Sequence, residues 1–255
     1  MSLGRPLSAL LMISMLAGAG CAQGDNPGAS QASPRSAKTV VPGPSYRPAI
    51  DPEDFVEGVD NPYFPLRPGA RLVYEGVSEG DREVDRVTVT DQTKEIMGVT
   101  ATVVHDQVFT DGELTEDTFD WYAQDRAGNV WYFGENTKEL EGGKVTSTKG
   151  SWEAGVDGAQ PGILMLGRPQ VGDAYRQEYF KGEAEDLGRV KSLDGSVSVP
   201  YGSFDDVLVT EDSTPLEPKI LENKFYAPGV GVVMEELVKG GHEVLKLVDV
   251  KAAEG

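Results

Sequence analysis

Cysteine, histidine and basic residues are the scarce classes in this chain of 255 residues. One Cys and two His exclude a disulfide framework, CxxC-type zinc or redox chemistry and a His-rich metal cage. Only 23 Lys and Arg stand against 42 Asp and Glu, a formal charge of −19. Nucleic acid is thereby excluded as a partner, as is plain adsorption on anionic lipid, because both need clustered cations. No apolar run reaches the ~20 residues of a membrane-spanning helix. No GxSxG elbow, HExxH, SxxK, P-loop or GxGxxG occurs, and no cofactor is implied. What is present is 39% apolar residues, 8% aromatics and 31 Gly, the composition of a folded chain rich in turns.

The amino terminus carries Arg5, an apolar run from Leu7 to Ala19, the small residues Gly18, Ala19 and Gly20, and then Cys21, the one cysteine. This pattern predicts a secretory signal over residues 1–20. It resembles the lipobox of bacterial lipoproteins, with Gly18 where that motif usually holds Leu. The resemblance implies acylation of Cys21 and a partner membrane reached through the lipid anchor alone. With Ala22-Gln23 following, an outer-membrane place is expected in a two-membrane bacterium, and the cell-membrane surface otherwise. Residues 21–50 read as a flexible tether, with prolines at 27, 34, 42, 44 and 48 and few large apolar side chains.

Residues 51–255 form one acidic body with 41 acids against 19 bases. Runs at 83–90, 99–109, 173–180, 205–211 and 242–250 alternate or are rich in Val, Thr, Tyr and Phe, as strands are. Gly80-Asp81, Asp111-Gly112, Gly142-Gly143, Asp194-Gly195 and Gly240-Gly241 supply hairpin turns between them. Helix is expected only as a turn capped by Asp51 before Phe55, and as a short piece over 182–187. An echo joins Pro68–Tyr74 to Val171–Gln177, Val103-Val104 to Val207-Leu208, and Trp121-Tyr122-Ala123 to Phe225-Tyr226-Ala227, at offsets of about 103 and 104 residues. The predicted fold is therefore all-β: an antiparallel meander in two related copies (64–136 and 167–236) forming a curved sheet pair or barrel, with very little helix.

The segment Phe119–Phe133 is the densest in rings. Alternation sends Phe119, Trp121 and Ala123 to one face and Asp120 and Tyr122 to the other. Trp121, Tyr122, Trp131 and Tyr132, with Trp152 from the Gly-rich connector 151–162, are the candidate ligand-binding residues. Asp125, Asn129 and Glu135 surround Gly128 as a possible cation set, but Ala127 interrupts the spacing and a plain hairpin turn is the stronger reading. His105-Asp106 and His242-Glu243 lack metal-ligand spacing to a second His. Carboxylates are too many for any pair, Asp117 and Asp120 included, to be singled out as a catalytic dyad.

Asn61-Pro62-Tyr63-Phe64-Pro65-Leu66 with Pro68-Gly69, Trp121–Asp125 with Gly128–Tyr132, Ser151–Gly162, Tyr201–Phe204 and Tyr226–Gly231 together resemble a family of bacterial exported β-rich lipoproteins. The resemblance implies an envelope domain and no catalytic residues. The expected function is non-enzymatic binding of a small apolar ligand or another envelope protein, on a surface lined with rings. The alternatives are a carboxylate-dependent hydrolase of glycan or peptide and a cation-dependent structural surface module. Oligomeric state is not set by these features.

Overall fold

The computed structural model describes residues 45–252; the signal, Cys21 and most of the tether lie outside the described residues. The first strands are β1 (Phe55–Val56), β2 (Arg71–Ser78), β3 (Asp81–Ile96), β4 (Val99–Thr110), β5 (Glu113–Asp125) and β6 (Val130–Asn136). Short pieces follow: β7 (Glu139–Glu141), β8 (Lys144–Ser147), β9 (Trp152–Glu153), β10 (Gln160–Met165), β11 (Ala174–Arg176) and β12 (Glu178–Tyr179). The chain closes with β13 (Leu187–Val199), β14 (Gly202–Ser213), β15 (Leu221–Ala227), β16 (Gly231–Lys239) and β17 (Glu243–Lys251). A 3-10 turn, Pro52–Asp54, is capped by Asp51, whose side chain accepts the Glu53 N–H at 3.1 Å. No described helix is long and apolar enough to cross a membrane.

All the pairings are antiparallel, and the sheet curls into a nearly closed barrel. Two seams complete the ring. At one, β17 pairs with β2 along most of its length. At the other, the segment 174–179 pairs through β11 with β13 and through β12 with β10, while β10 pairs with β6. Gly162 sits at that second seam, where a Cβ would overlap the Arg176 and Gln177 carbonyls. The close approach of two backbones is what requires glycine there. Tyr46, at the end of the stretch read as tether, donates its hydroxyl to the Pro161 carbonyl at 3.0 Å and sets its ring against Tyr179.

The predicted turns Asp111-Gly112 and Gly142-Gly143 hold positive φ angles between paired strands, as does Gly80 after Glu79. Asp194-Gly195 does not turn the chain. It lies inside β13, where the register against β14 slips around Gly195, and the reversal comes at Pro200-Tyr201. A Gly in a strand marks a bulge as readily as a turn. Residues 182–187 form no helix: Phe180 bridges Ala184, and Leu187 opens β13. The end of the Gly-rich connector, from Gln160 onward, belongs to β10. The echoing segments fall on β2 and β11, on β4 and β14, and on β5 and β15. Val104 faces Asp120 while Leu208 faces Tyr226, a difference of two residues in register that leaves the same faces inward.

Candidate ligand-binding lumen

Directly opposed residues of an antiparallel pair share a face, so the register shows what the barrel encloses. Across β3 and β4, Asp85 meets Val108, Val87 meets Asp106 and Val89 meets Val104. Across β4 and β5, those three meet Glu116, Thr118 and Asp120 in turn. On the facing wall Asp212 meets Glu222, Thr210 meets Lys224, and Lys224 meets Glu235. The lumen is therefore lined by carboxyl groups and tyrosines set among valines. Asp85, Asp106, Glu116, Asp120, Glu135, Glu178 and Glu235 are all buried.

Burial of a carboxylate favours its neutral form, and the lumen shows this repeatedly. Loss of water, followed by the fields of neighbouring acids, holds Asp85, Asp120, Glu135 and Glu178 well above the usual carboxylate range. Burial lifts Glu116 to about 8. It also lifts Asp106, against the opposing pull first of a hydrogen bond with Asp85 and then of His105 and Lys224. Lys224 loses hydration too, but Glu222, Glu235 and Asp212 outweigh that loss and keep its ammonium charged. Its Nζ lies 3.4 Å from Glu222 and 3.7 Å from Glu235.

Three of the five ring residues named from sequence come together inside. Tyr122 stacks on Tyr132 with centroids 4.9 Å apart, and Trp152 meets Tyr132 edge-on at 5.3 Å. Tyr132 donates its hydroxyl to Asp120 at 2.7 Å, and the Trp152 indole N–H reaches Glu178 at 3.0 Å. Trp121 and Trp131 face outward. Trp121 packs beneath the Lys94 ammonium, and Trp131 donates to Asp125 at 2.9 Å.

The cation set does not assemble. Both oxygens of Asp125 are occupied by N–H groups of Ala127, Asn129 and Trp131, which makes the segment a hydrogen-bonded turn. Asn129 gives its side-chain oxygen to the Gly167 N–H, and Glu135 points into the lumen opposite Asp120. Among the described residues no His, Cys, Asp and Glu group has the arrangement of a metal site. Asp117 and Asp120 lie on opposite faces. Asp117 bonds His105 at 2.7 Å on the outer surface, where the His105 ring stacks on Phe119.

Sequence reasoning missed the cleft at one end of the lumen. Its walls are Leu72, Val87, Val89 and Val104, with Phe64, Pro65, Leu66 and Val230–Val232 beside them; Tyr74, Asp106, Asp120 and Tyr122 supply the polar atoms. The free volume is about 40 Å³, room for roughly three waters. Asn61 anchors the segment that carries Phe64 and Leu66. It donates to the Gly128 and Leu166 carbonyls, its own N–H is taken by Gln124, and it accepts the Tyr63 N–H. The signal was the Asn61–Leu66 stretch itself, a Pro-rich apolar run too irregular for a strand.

No family model matches the chain, and no curated protein matches it. Two solved structures are similar in part. One, from Bacteroides fragilis, bears the description of an exported protein with a YmcC-like fold; it is 17% identical, covers 74% of this chain and 99% of its own, and has a TM-score of 0.45. The other, from Parabacteroides distasonis, is described as a lipoprotein; it is 13% identical, covers 74% of this chain and 98% of its own, and has a TM-score of 0.39.

Proposed function

We propose that the chain is a non-enzymatic binding module of the bacterial envelope, tethered to a membrane by acyl chains on Cys21, and that its ligand enters the cleft beside Phe64 and Leu66. The observation that carries this reading is the pairing of an apolar rim with buried polar atoms. Valine and leucine walls lead inward to Asp106, Asp120, Tyr74 and Tyr122, the mixture by which small-molecule sites combine hydrophobic burial with a few orienting groups. A volume of about 40 Å³ is well below the ~300 Å³ at which drug-sized sites begin. The cleft therefore suits a small molecule or the end group of a larger one, and not a whole acyl chain. The apolar Leu7–Ala19 run, followed by Gly20 and Cys21, supports the anchor.

The test is native mass spectrometry of the full chain purified from its host. Wild type should carry a reproducible bound mass that the cleft-filling variant Val104→Phe lacks. Wild-type preparations that never carry one would count against the reading. Replacement of Cys21 by Ala should move the protein from the membrane fraction to the soluble one.

A further inference from the structure

We infer that the tip of the β13–β14 hairpin, residues 193–206, is a hinged lid over a side opening of the barrel that leads into the cleft. The inference rests on the binding reading above and adds how the cleft is entered. β16 and β17 pair at 234–236 and 244–246 and then part toward the cleft end. Each strand carries an extra residue where they part. Val233 stands between the Phe225–Met234 and Tyr226–Val232 pairs, and Val248 between the Leu247–Tyr74 and Asp249–Val73 pairs. A bulge bends its strand and ends regular pairing. The cleft lies inside the gap so formed, with Val230, Gly231 and Val232 on one wall and Leu72 and Tyr74, the partners of Val250 and Leu247, on another. Tyr74 spans the gap, donating its hydroxyl to the Val232 carbonyl at 3.0 Å.

The hairpin tip closes this gap. The Tyr201 N–H donates to the Leu247 carbonyl at 3.1 Å, next to the point where β16 has left β17. Val197, Val199 and Phe204 are half-buried against the core, while Ser196, Ser198, Ser203 and Asp205 face water. That apolar inner face gives the closed position its hold. The tip stands clear of the sheet on both edges: β14 joins β15 from Leu208 onward, and β11 pairs with β13 no further than Arg189. Its base is irregular on both strands. The β13–β14 register slips between Val190 and Val197, and Asp206 holds a φ of 53°. The other described non-glycine residues with positive φ sit between strands, whereas Asp206 sits within one. Left-handed backbone and slipped register at the foot of a projecting element are what a hinge uses to change direction.

Methyl methanethiosulfonate, applied to the full chain carrying Val104→Cys and read at residue 104 by peptide mass spectrometry, measures access to the cleft. Adding Tyr201→Pro removes the N–H that ties the tip to Leu247 and is expected to speed labelling at least tenfold. Val108→Cys, on the same strand and inside the lumen but outside the cleft, should change less than twofold. Unchanged labelling at 104 would overturn the lid. An equal rise at 108 would overturn it too, since the whole barrel would then have loosened. In wild type, amide hydrogen exchange at Tyr201 should be about 100-fold faster than in the β14 stretch 208–210. Equal protection there would overturn the inference even if Tyr201→Pro does not fold. Neither measurement needs a bound ligand, so failure here leaves the cleft reading to the mass measurement above.

Discussion

Lys224 and Glu235 stand directly across β15 and β16 with the ammonium nitrogen and a carboxyl oxygen 3.7 Å apart, inside a barrel whose other buried side chains are mostly acidic or apolar. Glu222 approaches the same ammonium from its own strand at 3.4 Å. Losing one partner of a buried pair strands the other charge and typically costs about 3–5 kcal/mol. Lys224→Met should therefore lower unfolding free energy by about 3 kcal/mol in urea titrations at pH 8. The loss should shrink at pH 5.5, where the stranded acids can take up protons.

Stability should rise as the medium is made mildly acidic, the reverse of ordinary acid denaturation. Burial raises the folded-state pKa of Glu116 to about 8, and those of Asp186 and Glu222 to about 7. Unfolded carboxyls titrate near 4. Between those limits the folded chain holds more protons, so stability is fully present below about pH 4 and is lost as pH climbs through 7 to 8. Each acid that takes up a proton on folding contributes at most about 1.4 kcal/mol per pH unit. Urea midpoints measured from pH 5 to pH 8.5 should fall steadily; a flat or rising profile would contradict the buried-acid lumen.

Inward and outward tryptophans should differ in what they lose. Trp152→Phe removes the donor to buried Glu178 and should cost about 1–3 kcal/mol, the penalty for leaving a buried acceptor unpaired. Trp121 serves its site by packing and by its contact with Lys94. Trp121→Phe keeps a ring there and should cost about 1 kcal/mol or less. Thermal unfolding of both variants supplies the comparison.

Much of the fold is legible in the residues, because hairpins need positive φ at identifiable pairs such as Asp111-Gly112, and the runs between them alternate. Asp194-Gly195 misled for a physical reason: the same pair serves a bulge when the flanking strand continues past it. The rings Tyr122, Tyr132 and Trp152 were visible as candidates, and alternation separated Tyr122 from Trp121. The acidic lumen was not legible. Glu83, Asp85 and Asp120 look like solvent-facing residues in a strand pattern, and only closure of the ring turns their face inward. The cleft depends on Phe64 and Leu66 reaching across the barrel end, a contact between segments remote in sequence.

Closure of the ring should be sensitive to a single methyl group. Gly162→Ala would press a Cβ into the Arg176 and Gln177 carbonyls. Overpacking against rigid backbone costs about 1–3 kcal/mol or more. Amide hydrogen exchange should rise first in β10 and β12, ahead of β3 and β4.

The most direct measurement is a carbon-13 NMR titration of the side-chain carboxyls of the full chain, labelled at Asp and Glu, from pH 4 to pH 9. Glu116 should titrate near pH 8, and Asp85, Asp120 and Glu135 well above the surface acids. If these carboxyls titrate near pH 4 together with the surface acids, the lumen does not bury them.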